Sequence, residues 1–308
     1  MGDKTGIAWT DATWNPVVGC SRVSEGCRHC YAERQAFRHG QMMARSPYKG
    51  LTEKVGAEIR WTGEVRLVEN ALALPLRWRR PRRIFVNSMS DLFHESLSDE
   101  CIGRVFEIMG SAQQHTYQIL TKRPERMQRF ISHHSAAGGQ LGPWPWPHVW
   151  LGVSVENQET ADERIPLLLK APAAVHWISA EPLLGPVDLR RWLEIDRLVG
   201  SPDYVRSGFR PELSWVVIGG ESGPGARPFD LGWARQVIEQ CRAAGASAFM
   251  KQVGAHPHEE RSGRVVCRAS HLDGCGAGSW SKSLVFEHSS GADPSEWSED
   301  LRVREWPA

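Results

Sequence analysis

The chain predicts an α/β protein: a single parallel β/α barrel of the TIM type, complete or partial, with loop insertions and an irregular C-terminal tail. Short apolar runs alternate with amphipathic stretches along its 308 residues, and strands that alternate with helices pair in parallel through right-handed crossovers. About eight such runs favour a barrel over an open doubly wound sheet. Almost every run gives way to a cluster of polar residues, and the carboxyl ends of its strands are where a β/α barrel keeps its chemistry.

Size and composition set the frame. Residues 1–253 carry the barrel pattern; residues 254–308, rich in Gly, Ser and charge, form an extension packed on it or partly irregular. Hydrophobic content of 41% and charged content of 24% suit an ordinary soluble enzyme. The net charge of +1 gives no global field for nucleic acid or membrane, so any basic patch is local. No run approaches the ~18 apolar residues of a membrane span, and Met1–Thr10 lacks a secretory pattern. Seven cysteines, an odd number without a signal peptide, point to a reducing cytoplasm and to thiol or metal chemistry. The 14 tryptophans are irregularly spaced and are expected to line the core or stack on ligands.

In chain order, the expected strands are Trp14–Gly19, Glu64–Val68, Ile84–Asn87, Tyr117–Thr121, Val149–Val155, Val175–Ser179, Trp215–Gly219 and Ala248–Lys251. In Asp99–Gln113, Ile102, Val105, Phe106 and Met109 recur at three- and four-residue steps, which predicts a helix with one buried face. Cys101, near that face, reads as packing. Pro124 stands at the first turn of a short helix through Phe130. Leu231–Ala244 repeats the helical pattern with Trp233, Val237 and Cys241, and Gly245 stops it. Gln41–Gly56, Ser132–Pro147 and Gly200–Pro211 read as surface excursions or lids.

The strongest chemical signal is Cys20, Cys27 and Cys30, spaced C-x6-C-x2-C, with Gly19 and Gly26 each just before a cysteine. Glycine lets backbone turn tightly, so the spacing suggests three thiolates converging on one metal centre. Soft sulfur ligands suit zinc or an iron–sulfur cluster. Structural zinc and ordinary electron-transfer clusters take four ligands, so three leave a coordination position open. Two other readings stand beside this one: a Cys27–Cys30 thiol–disulfide pair, and a closed zinc site completed by His29 or His39.

The strand ends supply the remaining candidates. They are Asn87, Ser88 and Asp91; Lys122 and Arg123; Ser154 and Glu156; Glu181; Gly219, Gly220, Glu221 and Ser222; and Lys251. Carboxylates, amides and cations recurring at every end are what a polar ligand pocket requires, although each taken singly also fits a solvated turn or a helix cap. Gly219–Gly223 looks like a backbone cradle for an anion or nucleotide. Arg77, Trp78, Arg79 and Arg80 open a basic patch that either grips phosphates, with Trp78 stacked on a base, or is a solvated helix end. His133 and His134 sit in a Gly/Pro-rich stretch and are not read as ligands. Cys267 and Cys275, near His271, are a much weaker candidate for a second metal, and the sequence assigns them no role.

Longer stretches resemble a known family. Trp9-Thr-Asp-Ala-Thr-Trp-Asn-Pro-Val-Val-Gly-Cys20 and Gly26-Cys-Arg-His-Cys-Tyr-Ala-Glu33 are similar to the three-cysteine-motif family of phage and bacterial proteins. So are Phe85-Val-Asn-Ser-Met-Ser-Asp-Leu-Phe-His94, Leu120-Thr-Lys-Arg-Pro124, Leu151-Gly-Val-Ser-Val155, Ile178-Ser-Ala-Glu-Pro182 and Ile218-Gly-Gly-Glu-Ser222. The likeness continues to Asp293-Pro-Ser-Glu-Trp297 and Asp300-Leu-Arg-Val-Arg304 and covers nearly the whole chain. That family in turn looks radical-SAM-like.

The resemblance implies a 4Fe–4S cluster on Cys20, Cys27 and Cys30, with S-adenosylmethionine chelating the fourth iron. One-electron reduction, by a reductase or a flavodoxin-type donor, then yields a 5′-deoxyadenosyl radical that takes a hydrogen atom from the substrate. Asn87, Ser88 and Asp91 would face the methionine end. Lys122 or Arg123 would pair with its carboxylate, and Ser154 and Glu156 would meet the ribose. Glu181, Lys251 and the glycine cradle fall to the substrate, for which a nucleobase or nucleotide, including a hypermodified base of phage DNA, is the expectation. Two competing functions are a zinc-stabilised nucleic-acid-binding protein without catalysis, and an iron–sulfur enzyme without radical chemistry.

Overall fold

A computed structural model describes residues 5–42, 45–136, 138–193, 212–223, 225–261, 280–284 and 286–307. The Gly200–Pro211 excursion and Cys267, His271 and Cys275 lie outside the described residues.

The chain begins with β1 (Ala12–Trp14) and β2 (Val17–Val18), then the cysteine loop and α1 (Tyr31–Met42). A hairpin of β3 (Thr52–Val55) and β4 (Glu58–Trp61) follows, then β5 (Arg66–Leu67) and α2 (Glu69–Leu72). From there strand and helix alternate as far as Ala180. The order is β6 (Arg83–Val86), α3 (Asp99–Ser111), β7 (Thr116–Thr121), α4 (Pro124–His134), β8 (Val149–Ser154), α5 (Gln158–Lys170), β9 (Val175–Ala180) and β10 (Leu213–Gly219). The last segments are β11 (Phe229–Asp230), α6 (Leu231–Ala244), β12 (Ser247–Gln252), β13 (Pro257–Arg261) and β14 (Trp280–Ser283).

Seven strands form one parallel sheet in the order β1-β6-β7-β8-β9-β10-β12. The sheet curls into a half-barrel, so the partial form of the expected barrel is the one realised. Alternate side chains of each strand go to opposite faces. Ile84, Val86, Ile178, Val216, Ile218 and Met250 join the outer core, with Ile102, Val105, Phe106 and Met109 of α3 and Ile165 and Leu168 of α5. Phe85, Trp177, Trp215, Val217 and Phe249 take the other face and enclose Trp9. Tryptophans thus fill the base of the half-barrel. The edge of β12 is covered by the C-terminal segment: Met250 N–H donates to Val303 O (2.8 Å) and Glu305 N–H to Ala248 O (2.9 Å).

The helices follow their local signals. Ser98 caps α3 by accepting from Cys101 N–H, with Asp99 and Glu100 in the first turn. Pro124 opens α4, which runs past Phe130 to His134. Asn157 and Thr160 form a capping box on α5. Gly245, at φ +72°, ends α6 as expected.

The first strand differs from its expected span. The barrel strand is Ala12–Trp14, and Val17–Val18 instead pairs antiparallel with Arg66–Leu67. The Glu64–Val68 run therefore belongs to a small ribbon outside the barrel. Pro16 is the physical reason, because it has no N–H with which to continue the ladder. Gly19, at φ +93°, completes the turn; a Cβ there would meet Glu64 O at 2.1 Å.

Candidate active site

A cavity of about 690 Å³ opens at the carboxyl ends of the strands. Cys20, Cys27 and Cys30 line it from the loop after β2, and all three are free thiols. Asn87, Ser88 and Asp91 enter from β6, and Lys122 and Arg123 from β7. Ser154 enters from β8 and Glu181 from β9. Gly220, Glu221 and Ser222 come from β10, and Lys251 from β12. One exposed stripe of α1, namely Tyr31, Gln35 and His39, closes a side together with Tyr48. A second cavity of about 640 Å³, between Leu231 at the start of α6 and Trp297, holds none of the cysteines.

The cysteine loop is buttressed at both ends. Ser21 Oγ accepts from Arg123 Nη2 at 2.7 Å and lies 2.8 Å from His94 Nε2. Ser96 N–H donates to His94 Nδ1 (3.2 Å), which assigns the ring proton to Nε2 and makes it the donor to Ser21. Burial, then the nearby Arg123 charge, lowers the pKa of His94, consistent with a neutral ring. Arg22 forks onto the buried Glu33 of α1 at 2.9 and 2.7 Å. Farther along, Ser24 donates to Glu156 Oε1 at 2.6 Å. Gly26 presses so closely on the same carboxylate that a Cβ would stand 2.5 Å from Oε1. His29 Nδ1 reaches Glu221 Oε2 at 3.1 Å, and Arg227 Nη2 donates to Glu25 O at 3.0 Å.

Two predicted ligand carboxylates turn out to be committed to the protein itself. Asp91 accepts from Thr121 Oγ1 (2.7 Å), Phe93 N–H (2.9 Å), Lys122 N–H (3.0 Å) and Arg123 Nη1 (3.2 Å). Glu156 sits behind the cysteine loop, outside the cavity lining, and pairs with Lys122 Nζ at 3.2 Å and Arg164 Nη1 at 3.3 Å. Burial alone would raise the Glu156 carboxyl; Lys122, the Ser24 hydroxyl and Arg164 outweigh burial and hold it below the ordinary carboxylate range. Glu221 is likewise lowered against the pull of burial, chiefly by Arg227 and His29. On the opposite wall Lys251 Nζ bonds Glu181 Oε1.

Asn87 is the one non-glycine residue with positive φ (60°) among the described residues. Its Oδ1 accepts from Val17 N–H at 3.3 Å, while its Nδ2, on a side chain only 2% exposed, has no partner. A buried donor left unsatisfied beside a cavity is costly unless a ligand atom meets it.

These features fit an iron–sulfur cluster with an organic ligand. The donors are all sulfur, they share one cavity, and Lys122, Arg123 and Lys251 offer cations to an anionic assembly. Among the described residues no three His, Cys, Asp or Glu side chains gather closely enough to hold a single metal ion. Burial pushes the Cys20 thiol up to about 12, with Asp91 adding to the shift and Arg123 opposing it. Burial also raises Cys30. Such thiols ionise when a cation binds them.

Several residues elude the sequence reading. Asn15, whose Oδ1 accepts from Ser88 Oγ and Met89 N–H at 3.2 Å each, was concealed inside the overlong first strand. Ser24 and Glu95 bond Glu156 and Arg123, 132 and 28 residues away, and Arg227 reaches Glu25 O across 202 residues, pairings that no local pattern announces. Arg164 bonds Ser154 O and Glu156 only 10 and 8 residues back. His29, an expected zinc-ligand candidate, is engaged by Glu221. Gly219 ends β10 beside Glu181 and does not line the cavity. Arg77, Trp78, Arg79 and Arg80 lie before β6, at the amino end of the sheet, and take no part in the cavity. Trp78 packs against the core under Arg82, whose guanidinium carbon is 5.2 Å from its ring centre.

Fold and site together define an α/β half-barrel protein with a thiol-lined polar cavity at its strand ends. The chain belongs to the family described as "Protein of unknown function (DUF5131)", whose profile matches residues 4–287. No curated protein matches it. Among solved structures it is similar to a spore photoproduct lyase carrying a cysteine-to-serine substitution, with a TM-score of 0.38 and 13% identity. That alignment covers 78% of this chain and 63% of the other, so the chain spans less than two thirds of that neighbour's length. Among the described residues no helix is long and apolar enough to cross a membrane.

Proposed function

We propose that the protein is a radical S-adenosylmethionine enzyme whose Cys20, Cys27 and Cys30 hold a 4Fe–4S cluster. The observation that carries this reading is that three thiols of one loop share a cavity with polar residues from six strand ends. The sequence resemblance to radical-SAM-like proteins supports it. Held by Cys20, Cys27 and Cys30, such a cluster would supply the one-electron reduction of S-adenosylmethionine, and with it hydrogen-atom abstraction chemistry, at this end of the cavity.

The chain's own residues divide the remaining work. Asn87 Nδ2, Ser88 and Ser154 orient the cofactor on the cysteine side of the cavity, while Lys122, its Nζ paired with Glu156, helps hold the loop. Asp91 and Glu156, their oxygens already taken, fix the strand ends and the loop rather than touch ligand. Glu181, Lys251, Glu221 and Ser222 face the substrate, and the apolar base of the half-barrel keeps water from below. The substrate we favour is a nucleobase or nucleotide, including a modified base in phage DNA. Arg77, Arg79 and Arg80 would then tether phosphates away from the cavity. The electron comes from a reductase or a flavodoxin-type donor in the cytoplasm.

The test is anaerobic reconstitution with iron and sulfide, followed by mass spectrometry for 5′-deoxyadenosine after reduction with S-adenosylmethionine, with and without DNA. About four irons per chain, lost in Cys20→Ala, and cofactor cleavage are expected. Colourless protein with one tightly held zinc, or an intact cluster that never cleaves the cofactor, overturns the reading.

A further inference from the structure

We infer that Arg123 is a positioning residue that sets the reduction potential of the cluster, acting through the Cys20 sulfur. The inference rests on the cluster assignment above. Arg123 leaves the end of β7 and is only 6% exposed. Its Nη1 lies 3.9 Å from Cys20 Sγ, within N–H···S reach, and 3.2 Å from Asp91 Oδ2. Its Nη2 donates to Ser21 Oγ at 2.7 Å and to Ser21 O at 3.3 Å. Its Nε faces both oxygens of Glu95 at 2.8 and 2.9 Å. Every edge of the planar fork is therefore fixed, and its orientation toward Cys20 is set before any metal arrives.

A guanidinium carries its charge at every accessible pH. Placed beside a ligating sulfur in a buried site, it favours the state with one more electron, and hydrogen bonds to cluster sulfurs shift potentials the same way. Lys122, the neighbouring cation, is not equivalent, since its Nζ pairs with Glu156 behind the loop. Of the two carboxylates that balance Arg123, Asp91 is buried, while the Glu95 side chain is 65% exposed. Removing Arg123 leaves the buried Asp91 charge unopposed near Cys20. Neutralising Glu95 does the reverse, more weakly because water screens it.

The experiment is a redox titration, followed by electron paramagnetic resonance, of reconstituted wild type, Arg123→Gln, Arg123→Lys and Glu95→Gln, with iron and sulfide counted in each. In Arg123→Gln the ratio of reduced to oxidised cluster at fixed solution potential should fall about tenfold, a 59 mV shift for a one-electron couple. Arg123→Lys keeps the charge but not the fork and should fall between. Glu95→Gln should move the midpoint upward, and it decides the matter alone if Arg123→Gln fails to fold. Equal midpoints in all four proteins, or an Arg123→Gln protein that loses iron while its remaining clusters titrate as wild type, overturn the inference and leave the proposed function standing. A wild-type chain that takes up no iron overturns that function first.

Discussion

Glu156 is 1% exposed and still ionised, because a hydroxyl and two cations converge on it. Its folded pKa lies below the unfolded one, so its stabilisation is complete above the ordinary value of about 4.3 and is lost as pH falls through the folded value. Glu156→Gln should cost about 3 kcal/mol at pH 7, since it strands Lys122 and Arg164 without their counter-charge. Urea unfolding at a series of pH values checks this: the gap between wild type and variant should shrink below about pH 4. A gap that stays constant with pH would mean that shape, not charge, is what Glu156 contributes. Gly26 tests the same contact from the other side. The carboxylate it meets is pinned and cannot swing away, so Gly26→Ala must displace the loop itself. We expect a several-fold loss of iron retained after reconstitution with a stability loss of only about 1–2 kcal/mol. Full iron occupancy would contradict the idea that this approach sets the loop.

Among the elements, those with a local signal were legible. The buried stripe of α3, the Gly245 stop of α6 and the polar strand ends each depend on residues within a few positions of one another. The excursion expected at Gln41–Gly56 contains β3, and neither α1 nor β4 beside it carries a local signal, because their order comes from distant partners. Glu33 of α1, for instance, is fixed by Arg22 and by Trp61 N–H. The cover on β12 was equally hidden. Trp306 stacks edge-on against Phe249 (5.0 Å), sits 4.4 Å from the Arg83 guanidinium carbon, and donates to Trp9 O at 3.2 Å. That one ring ties the β12 edge to β6 and to Trp9 at the base of the sheet. Trp306→Ala should therefore lower stability by about 2 kcal/mol, read by thermal unfolding. It should also promote self-association through the uncovered β12 edge, read by size-exclusion chromatography. A monomer of unchanged stability would show that the segment merely lies on the sheet.

At the scale of the whole molecule, the half-barrel keeps apart two sets of polar and charged residues that composition alone averages away. Its carboxyl end gathers thiols and paired charges around a cavity, and its amino end carries Arg77, Arg79 and Arg80, all exposed. A net charge of +1 says nothing of this division, because 37 basic and 36 acidic residues cancel over the chain wherever they stand, some of them in local pairs such as Arg104–Glu69 and Arg83–Asp11. A six-residue strand spans roughly 20 Å. A phosphate held at the patch is therefore far from the cysteines, and the patch can contribute affinity but no chemistry. If DNA is the partner, its binding should follow counterion release at this patch. Replacing the three arginines by glutamine should then flatten the slope of log affinity against log salt by about 2.7, at 0.9 per phosphate contact on duplex DNA. Fluorescence anisotropy with a labelled duplex across a salt series measures it. An unchanged slope would make the patch a solvated helix end, and would leave a free nucleotide, delivered to the cavity alone, as the substrate to pursue.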